Sequence, residues 1–175
     1  MPDTLESTRT ALQNALGECD VVITSGGVSV GELDFIKAAF EKLGGTLDFW
    51  RIAIRPGKPF LFGTLNGKYL FGLPGNPVSA FVTALLLVRP GLLRLQAAAD
   101  VELPSHLATA AETLLNKGDR RHFMRVRVDN DGQVHLAGVQ ASHAVGSLSE
   151  ANALVDVPPK TVIQAGNQVR VLRFG

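Results

Sequence analysis

D-V-V-I-T-S-G-G-V-S-V-G-E-L-D, running from Asp20 to Asp34, is the stretch on which the reading of the fold turns. Val21, Val22 and Ile23 form a β-branched run suited to a buried parallel strand, and the run stops at Ser25-Gly26-Gly27. Beyond Gly31, the residues Phe35, Ala38, Ala39 and Leu43 recur at helical spacing, so the loop Gly26 to Gly31 feeds a helix expected over Glu32 to Leu43 and closed by Gly44-Gly45. A glycine-rich turn there lets backbone approach a ligand closely and aims unpaired N–H groups and the positive end of the helix dipole at it. The pattern is neither a P-loop nor a dinucleotide fingerprint, and glycines at such a turn also serve tight packing. Taken alone, the loop leaves anion binding and plain packing both open.

Working outward, Leu5, Leu12, Ala15 and Leu16 describe an amphipathic helix ending at Gly17, with Asp3 or Thr4 as its cap. Leu47 to Ile54 reads as one strand containing Trp50 and ending in Arg55-Pro56-Gly57-Lys58-Pro59, a stiff turn carrying two cations, with Arg51 four residues upstream of Arg55. Phe60 to Thr64 and Tyr69 to Leu73 form a hairpin through Asn66-Gly67. The second of these strands enters Pro74-Gly75-Asn76-Pro77, from which an apolar helix, Val78 to Leu95, starts with Asn76 as cap. Three strands thus end in special loops. Ligands of open α/β sheets bind outside the carboxyl ends of strands, so the three loops are expected to converge on one cleft.

After Gln96 the composition changes. Ala97 to Asp100 reads as a linker, followed by strands at Leu107 to Leu114, His122 to Asp129, Val134 to Ala141, Leu154 to Val157 and Gln168 to Phe174, with turns at Asn130-Asp131-Gly132 and Ala165-Gly166-Asn167. Ser147 to Ala151 reads as one helical turn. The expectation is an α/β domain over 1–97 and a small all-β barrel or sandwich over 101–175.

The bulk properties exclude several classes. In 175 residues, 46% hydrophobic, the net charge is +1, which provides no whole-protein field for nucleic acid or an acidic membrane surface. Any anion site must be local. The single cysteine, Cys19, excludes an internal disulfide and reads as a small buried hydrophobe suited to a reducing cytoplasm. The apolar stretch Phe81 to Val88 is too short to span a bilayer, and the N-terminus carries no signal pattern.

Two helix starts, after Gly31 and after Asn76, offer backbone donors to phosphate, while Arg51, Arg55 and Lys58 supply charge. Glu32 and Asp34 fall in a first helical turn. Glu32 reads as complementing the helix dipole, and Asp34 as a carboxylate placed to hold Mg²⁺ beside bound phosphates. Ser29 could donate to phosphate or satisfy the turn. His106, His122, His135 and His143 lack metal-ligand spacing and read as surface or structural.

S-G-G-V-S-V-G-E-L-D, I-R-P-G-K-P-F-L-F-G and G-L-P-G-N-P-V-S-A, in this order, resemble the molybdopterin molybdenumtransferases, the family that includes the E domain of gephyrin. Arg120-Arg121-His122-Phe123-Met124-Arg125, Ser147-Leu148-Ser149 and Ala151-Asn152 resemble that family's C-terminal β domain. The resemblance implies a molybdopterin-binding three-layer α/β domain and a cytoplasmic homodimer, with a molybdopterin adenylyltransferase as partner. The implied reaction takes adenylylated molybdopterin and molybdate and, with Mg²⁺, releases AMP and molybdenum cofactor. Asp34, Arg51, Arg55 and Lys58 would be catalytic. Ser25, Gly26, Gly27, Val28, Ser29, Gly31, Pro74, Gly75, Asn76, Pro77 and Ser79 would hold the pterin phosphate, and Asp34 and Asp3 the metal. The family's extended N-terminal region and an earlier strand have no counterpart here, so a fragment with little activity of its own is expected. The alternatives are a molybdopterin adenylyltransferase and a non-catalytic scaffold resembling the E domain.

Overall fold

The structure, a computed structural model, describes residues 4–27, 35–141 and 144–175. It forms two compact units, one of Met1–Ile52 with Gly57–Ala80 and the other of Ala53–Pro56 with Phe81–Gly175.

In the first unit, α1 (Leu5–Glu18) opens on Thr4, whose hydroxyl accepts from the Ser7 N–H at 3.2 Å while the Ser7 hydroxyl accepts from the Thr4 N–H at 3.3 Å. The reciprocal pair satisfies two otherwise orphaned donors. Cys19 follows the helix as an exposed free thiol, not the buried hydrophobe expected. It occupies the turn ahead of β1 (Val21–Ser25), where its carbonyl accepts from Lys68 Nζ at 3.0 Å.

A four-stranded sheet has the order β1, β5 (Lys68–Leu73), β4 (Leu61–Leu65), β2 (Thr46–Trp50). β1 runs parallel to β5, and the other two pairings are antiparallel. β1 is parallel as expected, yet it is an edge strand and only half-buried, with Ile23 48% exposed. The hairpin turns through Asn66 and Gly67 at φ 50° and 77°, left-handed values that these two residue types tolerate. Leu12 and Leu16 of α1, with Ala39 and Phe40 of α2 (Phe35–Lys42), pack on Leu61 and Leu70. The Phe40 ring fills space that only glycine leaves free: a Cβ would come within 2.5 Å of it at Gly45 and 2.6 Å at Gly63. Strand alternation puts Phe62, Tyr69 and Phe71 on the opposite face, with the Phe62 and Phe71 centroids 4.9 Å apart.

The single strand expected over Leu47 to Ile54 is two. Arg51, at φ 67°, breaks it after Trp50, because a left-handed residue cannot continue a pleated ladder. Ile54–Arg55 is a separate β3, which pairs in parallel with β8 (Arg121–Val128) in the second unit.

Asn76 caps the apolar helix as expected, its Oδ1 accepting from the Ser79 N–H at 3.2 Å. The run comprises α3 (Pro77–Thr83), a wider π-type turn at Ala84–Val88, and α4 (Arg89–Leu95). The Arg89 N–H reaches back to the Ala84 carbonyl, and Pro90 has no N–H to continue the normal ladder, which accounts for the widened turn. By length and composition this run, Pro77–Leu95 with mean hydropathy 1.6, could cross a membrane, unlike the shorter stretch Phe81 to Val88. Arg89, Pro90 and Arg94 inside it speak against a span, and Arg89 Nη1 instead donates to the Val101 and Glu102 carbonyls at 2.8 and 3.1 Å.

The second unit is built on a sheet that closes on itself. β8 pairs with β9 (Gln133–Leu136), β9 with β6 (Ser105–Ala110), β6 with β12 (Gln168–Arg173), β12 with β10 (Ala153–Val157), and β10 again with β8. Closure removes free edges from the ring. Alternate residues point inward, giving a core of Met124, Val126, Val128, Val155, Val157, Val169 and Val171. The strand expected at Leu107 to Leu114 divides into β6 and β7 (Leu114–Asn116), and β7 pairs with the unanticipated β11 (Thr161–Ile163). β9 is shorter than the expected Val134 to Ala141, since Gly138 turns the chain at φ 56°. The helical turn appears as α5 (Gly146–Glu150).

Candidate functional site

β1, β5 and β2 run the same way, and their registers align. Thr24 is level with Gly72, Gly72 with Leu61, and Leu61 with Trp50, so these residues form one row across the first unit's sheet. The residues just past that row, Ser25, Pro74 and Arg51, therefore emerge at one edge. With strands about 4.8 Å apart, Arg51 lies laterally about 10 Å from Pro74 and about 14 Å from Ser25.

The Gly26 and Gly75 loops touch. The Gly26 N–H donates to the Leu73 carbonyl at 3.0 Å, and the Ser25 hydroxyl to the Pro74 carbonyl at 3.4 Å. A Cβ on Gly75 would stand 3.4 Å from Gly26 Cα, so bare backbone faces bare backbone. Gly26 and Gly27 adopt φ 86° and 68°, values that favour glycine, and a Cβ on Gly27 would meet Ile36 Cγ1 at 2.8 Å. Gly26 and Gly75, from two of the three loops, thus lie against each other. Both features expected of the Asn76 start are present: Pro77 at the first helical position, and Asn76 engaged with both the N–H and, at 3.4 Å, the hydroxyl of Ser79. The Ser79 side chain is buried and belongs to this cap.

The cations of the third loop separate. Arg51 and Lys58 belong to the first unit, where the Arg51 N–H donates to the Phe60 carbonyl at 2.9 Å and the Ile52 N–H to the Lys58 carbonyl at 3.0 Å. Both side chains are exposed. Arg55 belongs to the second unit, in register with His122. Val28, Ser29, Gly31, Glu32, Asp34 and Asp3 lie outside the described residues. Among the described residues, no group of three His, Cys, Asp or Glu side chains gathers as a metal centre.

Sequence reading missed the surroundings of Arg51. Its guanidinium carbon lies 4.2 Å from the centroid of Trp50, and Lys37 Nζ of α2 lies 4.7 Å from the same ring. The available signal was a lone tryptophan preceding an arginine at a strand's carboxyl end. It also missed Arg125, which is fully buried and donates to the Ser147 hydroxyl at 2.6 Å and to the Val139 and Ala141 carbonyls at 2.9 and 3.1 Å. Burial, then the charge of Arg55, holds its guanidinium below the ordinary arginine range. Of the histidines, His106 is exposed, His135 pairs with Asp129 at 3.0 Å, and His143 lies outside the described residues. His122 is buried, with both ring nitrogens unpartnered among the described residues. Burial first, and then Arg55, Arg125 and Arg120, push its pKa down from 6.5 to about 4.

An α/β unit, followed along the chain by a small closed β barrel, is the class of protein these features define. Family models agree with both parts: residues 1–94 match a probable molybdopterin binding domain and residues 108–174 match the MoeA C-terminal region, domain IV. A molybdopterin molybdenumtransferase of Haemophilus influenzae is 42% identical over 99% of this chain and 44% of its own length. The molybdenum cofactor synthesis protein cinnamon of Drosophila melanogaster is 36% identical over 99% of the chain and 31% of its own. Among solved structures, a molybdenum cofactor biosynthesis protein from Pyrococcus furiosus superposes with a TM-score of 0.78 at 27% identity, covering 99% of this chain and 56% of its own. The chain belongs to the molybdopterin molybdenumtransferase family. It spans less than half the length of these curated relatives.

Proposed function

We propose that the protein containing this chain inserts molybdate into adenylylated molybdopterin with release of AMP, and that the edge formed by Ser25, Gly26, Gly75 and Arg51 holds the phosphates. The observation that carries the reading is the row from Thr24 to Trp50, which delivers a glycine turn, a capped helix start and an arginine to one side of one sheet. Gly26 and Gly75 let their two loops close to bare-backbone contact, and Arg51 and Lys58 offset negative charge. Chemically, a water oxygen attacks the adenylate phosphorus and the anhydride P–O bond breaks, so that AMP leaves with the incoming oxygen and the pterin phosphate stays bound with the bridging one. Molybdate forms its bonds to the two dithiol sulfurs by losing oxygen as water on the thiol protons. Held cations stabilise charge as it moves onto the leaving oxygen, and positioning contributes the rest.

Magnesium dependence enters this reading through Asp34. The Asp34 carboxylate and the substrate phosphates would hold the ion, which would offset phosphate charge. The match of residues 108–174 to domain IV favours this reading over a molybdopterin adenylyltransferase, which would leave the barrel unexplained. A homodimer in the cytoplasm completes the proposal; support for the dimer alone comes from the apolar run Pro77–Leu95, only 28% of whose most apolar window is buried within this chain.

Calorimetric titration of the chain with adenylylated molybdopterin and Mg²⁺ tests the site. Gly75→Ala is expected to bind as the wild type, because its Cβ stays at contact distance, whereas Gly75→Val forces the Gly26 loop aside and loses binding. Equal affinity in Gly75→Val and wild type would refute the assignment.

A further inference from the structure

Trp50 is the one tryptophan of the chain, the last residue of β2 and 39% exposed. Two cations are gathered on its ring: the Arg51 guanidinium carbon 4.2 Å from the centroid and Lys37 Nζ at 4.7 Å. Like charges do not collect on one side chain by default. Lys37 is partly offset by Glu41, at 3.2 Å on the same helix, but among the described residues Arg51 forms no ion pair. Arg51 is also a non-glycine residue at φ 67°, a conformation that persists only where surrounding contacts impose it. Here the imposing contacts are its N–H bond to the Phe60 carbonyl and its stacking on Trp50.

A guanidinium lying over an indole spends its face on the ring and leaves the N–H donors along its edges free for an oxyanion. An arginine without that support would sample many rotamers and lose freedom on binding. We propose that Trp50 is a positioning residue, holding Arg51, with Lys37 as a second and unanticipated cation, as a preorganised clamp for the diphosphate portion of the substrate. The inference rests on the functional reading above and adds to it two residues, Trp50 and Lys37, that act at the same edge.

Because Trp50 is the sole tryptophan, its emission reports directly on the clamp. The experiment titrates the chain with inorganic pyrophosphate, following Trp50 emission in the wild type and heat by calorimetry in the wild type and in Trp50→Leu, Trp50→Phe and Arg51→Ala. A saturable change in wild-type emission is expected, with the same midpoint as the calorimetric one. Trp50→Leu should weaken binding about three- to tenfold, the cost of ordering one freed side chain, at an unchanged melting temperature. Trp50→Phe should recover much of the loss by restoring an aromatic face. If Arg51→Ala weakens binding and Trp50→Leu does not, or if pyrophosphate binds without moving Trp50 emission, the inference falls and the functional reading stands. A wild type that binds no pyrophosphate by either readout overturns both.

Discussion

Lowering the pH should destabilise the barrel through one residue, His122. Its side chain is 3% exposed, on the inward-facing parity of β8 with Met124 and Val126, and both nitrogens lack partners among the described residues. Burial, reinforced by Arg55, Arg125 and Arg120, lowers its pKa to about 4, so the folded protein keeps the ring neutral where the unfolded chain, at 6.5, takes up a proton. The unfolded state therefore binds more protons between those two values, and stability is complete above 6.5 and falls as the pH drops towards 4. The full gap is worth about 3 kcal/mol, with about 2 to 3 kcal/mol already lost near pH 4.5. Asp129 does not share this window. The Gln133 backbone N–H, then His135, hold its carboxyl below the ordinary 3.8, so its stabilising contribution is lost only at more acid pH.

The assay is urea unfolding followed by circular dichroism at steps from about pH 7 to about pH 4.5, on wild type and His122→Leu. Leucine conserves volume and abandons no hydrogen bond, so the variant should be at least as stable as wild type at neutral pH. Subtracting the two curves cancels every other titrating group. The wild type should lose about 2 to 3 kcal/mol relative to the variant across the range. Curves that stay parallel would refute the reasoning.

Two further substitutions test the cores. In Gly63→Ala the new Cβ would stand 2.5 Å from the Thr46 carbonyl oxygen and 2.6 Å from the fully buried Phe40 ring, so thermal melting should show a loss of about 3 kcal/mol, and an unchanged melt would contradict the packing. Asn116 is 2% exposed, donates to the Arg120, Val157 and Pro158 carbonyls and accepts from the Gly118 N–H. Asn116→Ala should cost about 2 to 4 kcal/mol and speed amide exchange at Gly118, an effect that wild-type exchange rates there would exclude.

Local chemistry was legible wherever one residue decides the geometry. Asn66-Gly67 announced the hairpin, Asn76 the helix start and Gly132 the β8–β9 turn, because each conformation suits few residue types. Tertiary decisions were not. Nothing in L-D-F-W-R-I-A-I distinguishes one strand from two, since the break depends on Arg51 being held left-handed by Phe60 and Trp50. Cys19 read as a buried hydrophobe and is exposed, and the burial of Arg125 depends on the segment carrying Val139 and Ala141, whose carbonyls it meets. For the candidate site, Gly26, Gly75 and Arg51 could be named from their places at strand ends. Trp50 carried only the signal of a lone tryptophan before an arginine, and Lys37 carried none, because their meeting depends on how α2 lies beside the end of β2.

The most direct test of the functional account is AMP release from adenylylated molybdopterin by the complete protein that contains this chain, measured with and without molybdate and Mg²⁺ and repeated with Arg51→Ala. The account predicts release that requires molybdate and is weakened by the substitution. Release that ignores molybdate, or no release from a folded protein, would contradict it.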